Sequence, residues 1–150
     1  MADTTALAPI TQERVEAQLD AFDLKYFRGE DGNTRTAFPG LVCFFDFTDA
    51  GCKISSRWLG TAATPEDIET LRETANVLNR IIPLVRTHPI LRSDDTAIAV
   101  IEAPLFSTVG VTDEQLKQML EYYFSSAHHV MAELKQALPH IDDSLTESKA

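Results

Sequence analysis

Leu41-Val-Cys-Phe-Phe-Asp-Phe47-Thr-Asp-Ala-Gly51-Cys-Lys-Ile-Ser-Ser-Arg-Trp-Leu-Gly60 is the stretch on which the fold turns. Two runs rich in aromatic and aliphatic side chains flank Thr48-Asp-Ala-Gly51, a cluster of turn formers, so they read as the arms of a hairpin. A four-residue loop sets Phe47 opposite Cys52, Phe45 opposite Ile54, Cys43 opposite Ser56 and Leu41 opposite Trp58. Successive side chains on a strand point to opposite faces. These eight therefore share one nearly apolar face, while Val42, Phe44, Asp46, Lys53, Ser55, Arg57 and Leu59 share the other. The register holds Cys43 and Cys52 four strand positions apart, roughly 13 Å at about 3.3 Å per residue. A disulfide needs Cα atoms within about 7 Å, so both cysteines are expected as small buried hydrophobes.

Working outward, Leu24 to Arg28 and Asn33 to Phe38 read as two further strands, separated by Gly29-Glu-Asp-Gly32 and followed by Pro39-Gly40. None of these gaps has room for a parallel crossover, so the pairing is antiparallel. Ahead of them Thr11 caps a short helix over 11–21, with Ile10 placed to pack on Val15. Beyond the hairpin, Thr64-Pro65-Glu66-Asp67 starts a second helix with a capping threonine, proline in the first turn and acids suited to the helix dipole. Its stripe is Ile68, Leu71, Ala75, Leu78 and Ile82, and Val77 and Ile81 form an apolar shoulder about 100–130° around the axis. Pro83 stops it. Leu84 to Leu91 and Thr96 to Phe106 then pair about Ser93-Asp94-Asp95. Ala97-Ile-Ala-Val-Ile101, apolar on both sides, suits a central strand, and Pro89 and Pro104 suit edges or bulges. Thr112-Asp-Glu-Gln115 is a capping box opening a long helix that ends before Pro139. The expected fold is α+β, one antiparallel sheet with three helices in the order α-β-β-β-β-α-β-β-α. Residues 10–140 form a single domain, and 1–9 and 141–150 are expected to be disordered ends.

The chain has 150 residues, 44% of them hydrophobic and 24% charged, which suits one ordinary hydrophobic core. Its formal charge of −10 opposes binding to nucleic acid or anionic lipid, whose partners supply Lys and Arg. No apolar run approaches the roughly 20 residues that span a bilayer, and residues 1–12 lack the basic start and apolar stretch of a signal peptide. A cytoplasmic protein without membrane or nucleic-acid partners is expected.

Chemistry finds little to work with. His128 and His129 are neighbours on a helix, about 100° apart and off the apolar stripe, so they face different surroundings; His129 can pair with Glu133 one turn on. His88 and His140 have no ligand-spaced neighbour. The paired acids at 66–67, 94–95 and 142–143 fall in a capping turn, a loop and the tail, where solvent keeps carboxylates ordinary. The six glycines form no phosphate-binding pattern. No catalytic, cofactor-binding or metal-ligating set is expected. What remains is the second sheet face, which a helix or another chain could cover, and the helical shoulder. Val42, Phe44, Arg57, Leu59, Val77 and Ile81 are the candidate protein-contact residues. The alternative is a small-molecule binder or enzyme whose site gathers His88, Arg57, Glu102 or the His128/His129 region.

Three strings carry a resemblance: Ile54-Ser-Ser-Arg-Trp-Leu-Gly60, Asn76-Val-Leu-Asn79-Arg80 and Gly110-Val-Thr-Asp-Glu-Gln-Leu116. In their order and spacing over about residues 12–138 the chain resembles the YbjN domain family of small bacterial proteins. The resemblance implies a fold like that of type III secretion chaperones, a regulatory role with no established catalytic residue, frequent homodimers, and protein partners held on sheet or helix surfaces. The function expected is thus a non-catalytic protein-interaction module, chaperone-like or regulatory, acting as a homodimer on an unknown protein partner.

Overall fold

The computed structural model describes residues 5–144. Within them the chain forms α1 (Gln12–Ala21), β1 (Tyr26–Arg28), β2 (Thr34–Phe38), β3 (Leu41–Thr48), β4 (Gly51–Ala62), α2 (Pro65–Ile81), β5 (Arg86–Leu91), β6 (Ala97–Phe106) and α3 (Asp113–Ala137). The element order is the expected one. The strands make a single antiparallel sheet in the order β1-β2-β3-β4-β6-β5.

The deciding hairpin has the register that its loop length dictates: Leu41 pairs with Trp58, Cys43 with Ser56, Phe45 with Ile54 and Phe47 with Cys52. Leu41, Cys43, Phe45, Cys52, Ile54, Ser56 and Trp58 are all fully buried. All but the polar Ser56 join Val15 and Leu19 of α1, Leu71 and Leu78 of α2, and Leu116, Leu120, Tyr123, Ala127, Val130 and Leu134 of α3 in one hydrophobic core. The helices thus share the face of the sheet that carries Cys43 and Trp58. Its polar atoms are paired: the Tyr123 hydroxyl donates to the Ile101 carbonyl (3.0 Å) and meets Ser56 Oγ at 2.7 Å, and Ser56 Oγ lies 3.0 Å from Cys43 Sγ. Burial without such partners would cost each hydroxyl about 1–3 kcal/mol.

The caps form where the sequence puts them. Thr11 accepts from the Arg14 N–H, Thr64 from Asp67, and Thr112 and Gln115 exchange both bonds of a capping box. β6 is a central strand and β5, with Pro89, an edge; Pro104 lies beyond the last β5–β6 pair, Arg86–Glu102.

Several boundaries move. β1 begins at Tyr26 rather than Leu24, because the Leu24 N–H closes α1 on the Leu19 carbonyl (2.9 Å) while Asp23 takes a left-handed φ of 59°. β5 begins at Arg86 since Leu84, at φ 70°, is left-handed and cannot continue a strand. β4 runs on to Ala62 through a bulge: the four steps from Trp58 to Ala62 oppose two steps from Ala99 to Ala97. Gly60 sits in it with the Trp58 ring packed where a Cβ would stand.

Contacts reach into both end segments. Ala8 forms a β-bridge with Val111, and Arg14 donates to the carbonyls of Ala8, Pro9 and Val111 and to Asp113 (2.9 Å). At the other end Ile141 packs on the core, and Asp143 accepts from Trp58 Nε1 (2.8 Å) and lies 3.6 Å from Lys135 Nζ. A guanidinium and a buried indole N–H each demand acceptors, and these short stretches supply them. Residues 1–4 and 145–150, the rest of those segments, lie outside the described residues.

Candidate protein-contact surfaces

Two surfaces come from the six residues singled out by sequence. Val42, Phe44, Arg57 and Leu59 lie on the sheet face opposite the helices, and Val77 and Ile81 lie on α2. Cross-strand pairing fills in the first. One row runs Ala37, Val42, Arg57, Val100, His88, and the next runs Phe27, Arg35, Phe44, Ser55, Glu102, Arg86.

Access is uneven across this face. Val42 and Leu59 are only 1% and 2% exposed, so they contribute shape beneath the surface rather than contact area. Phe44 is half-buried, with the Arg35 guanidinium 5.2 Å above its ring, a cation–π arrangement. Arg57 is half-buried too, and burial first, then the positive charge of nearby Arg92, lowers its pKa from the usual arginine value. Glu102 lies between His88 Nε2 (3.0 Å) and Lys53 Nζ (3.7 Å). These three side chains are 31–48% exposed, and such pairs contribute less than about 1 kcal/mol each.

The sheet's edges bear on what can dock. The Arg92 N–H bonds to the Thr96 carbonyl (2.7 Å), so even-numbered β5 residues turn their backbone toward β6 and odd-numbered ones turn it outward. Thr87 is one of the latter. Asn79 of α2 takes both its outward groups, accepting its N–H (2.7 Å) and donating to its carbonyl (3.0 Å). The next outward position is Pro89, which has no N–H. This edge is closed to an added strand. In the sequence the only signal is an amide in the last turn of α2, and its partner lies across a loop.

On α2, Val77 and Ile81 are 46% and 62% exposed. They line a groove of about 330 Å³ between α2 and α3 with Glu73, Thr74, Glu133 and Ala137. Just beyond the helix Leu84, 79% exposed, borders a second groove of about 320 Å³ with Pro104, Met119 and Tyr122. Tyr122 donates its hydroxyl to the Pro83 carbonyl and so fixes this corner. Leu84 and Tyr122 were missed because Leu84 read as the first residue of a strand.

The residues of the alternative reading come only partly together. His88 meets Glu102 on an open sheet face, with Arg57 two strands from His88 in the same row. His128 is elsewhere, its Nδ1 2.8 Å from the Phe124 carbonyl and its ring edge-on to Phe38. His129 lies 3.8 Å from Glu133, the expected surface pair, and His140 2.8 Å from Asp67. The four histidines therefore occupy four separate surroundings. Among the described residues no three His, Cys, Asp or Glu side chains gather as a metal ion would require. Cys43 and Cys52 are both free, and burial pushes each thiol up to about 12, away from nucleophilic use. No helix among the described residues is long and apolar enough to cross a membrane.

The crystal structure of YbjN from E. coli, described as a putative transcription regulator, is similar with a TM-score of 0.73 over 91% of this chain and 98% of its own, at 16% identity. An uncharacterised protein from Methanothermobacter thermautotrophicus aligns over 83% of this chain and 96% of its own, at 15% identity and a TM-score of 0.48. No curated protein matches the sequence. The model of one family, "Putative bacterial sensory transduction regulator", matches residues 11–136, and the chain belongs to that family, YbjN.

Proposed function

We propose that this chain is a non-catalytic regulator that works in the cytoplasm by binding other proteins, in a chaperone-like manner and as a homodimer. The family's description as a regulator supports the general role. One observation carries the rest: on α2 Val77 and Ile81 expose 46% and 62% of their surface beside one groove, and Leu84, just beyond the helix, exposes 79% beside another. Exposed apolar side chains are common singly, but several bordering grooves support reading this region as a contact surface. The surface also suits a two-fold partner. If two α2 helices cross antiparallel near Val77, Glu73 of one faces Arg80 of the other, so the contact is self-complementary as a symmetric dimer requires. The overall charge of −10 supports a protein partner over a nucleic acid for the remaining surface.

Light scattering on a size-exclusion column tests the dimer. The expected mass is two chains at micromolar concentration, falling to one for Ile81→Glu with an unchanged circular dichroism spectrum. A wild-type mass of one chain at every concentration sinks the reading.

A further inference from the structure

We propose that residues 145–150 of the chain itself dock on the helix-free face of the sheet, across Val42, Arg57 and Leu59, so that this face is occupied from within the molecule. The surface is distinct from the α2 dimer contact and does not depend on it. Val42 and Leu59 are 1% and 2% exposed, yet neither belongs to the hydrophobic core under the helices. No described helix lies over them. Nor do their neighbours close above them: Ala37, beside Val42 in its row, is exposed, and Phe44, Arg57 and Val100 are half-buried. A single chain hides both residues, so the cover comes from the chain itself.

The path of the described chain says which segment supplies it. Asp143 accepts from Trp58 Nε1 at 2.8 Å, and a Cβ on Gly40 would stand 2.9 Å from its Oδ2. Gly40 in turn accepts the Leu59 N–H at 2.9 Å, and Val42 follows two residues on. Ser144, the last described residue, therefore leaves from the rim of the sheet where the hidden pair lies. The six residues beyond it, Leu145-Thr-Glu-Ser-Lys-Ala150, reach about 20 Å when extended, enough to round the rim and cross both side chains. Leu145 brings an apolar group to Val42 and Leu59. Glu147 brings a carboxylate to Arg57, whose charge is disfavoured first by burial and then by Arg92. The other end of the chain is out of reach. Thr5 lies beside Thr112 and Asp113, at the end of the sheet where Gly51 pairs with Phe106. From Gly51 to Leu59 is roughly 26 Å along the strand, and residues 1–4 span at most about 14 Å. A partner that uses this face has to displace the tail, whereas the α2 surface is open without that step.

Photo-crosslinking of the full chain tests this, with p-benzoylphenylalanine in place of Leu145 and the products mapped by mass spectrometry. Cross-links should join position 145 to the segment 41–60 in a product of one-chain mass on a denaturing gel. Cross-links to another part of the same chain overturn the tail seat, and products of two-chain mass overturn it in favour of a second copy. Thiol access gives an independent readout. Val42→Cys should react slowly with Ellman's reagent, and at least tenfold faster once Leu145→Glu is added, while Phe44→Cys on the same face reacts alike in both backgrounds. Equal rates for Val42→Cys with and without Leu145→Glu sink the idea. Cys43 and Cys52 should stay unlabelled throughout; if Leu145→Glu exposes them, residue 145 supports the core and the tail seat is again wrong. Ile81→Glu, which tests the dimer, should leave both readouts unchanged, so the two readings fail separately. Loss of the cross-link together with the dimer would replace the tail by contact between copies.

Discussion

Glu16 shows how one residue can tie distant elements. It sits on α1, 8% exposed, and receives two bonds from Arg28 (2.7 and 3.1 Å) and one from Thr34 (2.9 Å). The Arg28 bonds are the main reason its carboxyl pKa lies below the ordinary 4.5, with burial opposing them and Thr34 and the arginine's charge assisting. A carboxylate depressed on folding contributes stability that is complete above its unfolded value and is lost as pH falls through its folded one. Glu16→Gln should therefore lower the urea midpoint at pH 7, and the gap to wild type should close near pH 3. An equal loss at both pH values would assign Glu16 a packing role instead. The sequence offered no sign of this triad, because its members come from α1, β1 and β2 and only the folded chain brings them together.

Among the elements, β5 is the one whose placement is decided by a neighbour. Alone it is a six-residue edge strand with Ile90 and Leu91 exposed, a pattern that invites pairing with other chains. Asn79 of α2 occupies the Thr87 backbone groups and joins helix to edge. Asn79→Ala leaves two backbone groups without partners and should cost about 1–2 kcal/mol in chemical denaturation. It should also raise light scattering at millimolar concentration as the edge opens. A variant with wild-type stability and solubility would show that water replaces the amide at no cost. β4 shows the opposite case. Its register to β3 follows from a four-residue loop and the apolar alternation, so it was legible in the sequence, whereas its extension to Ala62 depends on Gly60 lying beneath the Trp58 ring.

On the scale of the whole molecule, three helices crowd one face of the sheet and leave the other to side chains alone. The α2 surface and the helix-free sheet face thus point in different directions. Association linked to folding makes stability depend on concentration. The thermal midpoint of the wild type should rise as the chain is concentrated from the low to the high micromolar range, and that of Ile81→Glu should stay fixed. A wild-type midpoint independent of concentration would argue against a dimer. The sequence by itself determined the element order, the caps, the hairpin register and the burial of both cysteines, because each follows from local backbone chemistry or from alternation along a strand. Only the tertiary structure decided that all three helices share one face, that Val42 and Leu59 are hidden while Leu84 is exposed, and that the arginines of β2, β4 and β5 collect on one surface. Those facts depend on which strands become neighbours across long stretches of chain, and β6 settling between β4 and β5 is a matter of packing that no local pattern encodes.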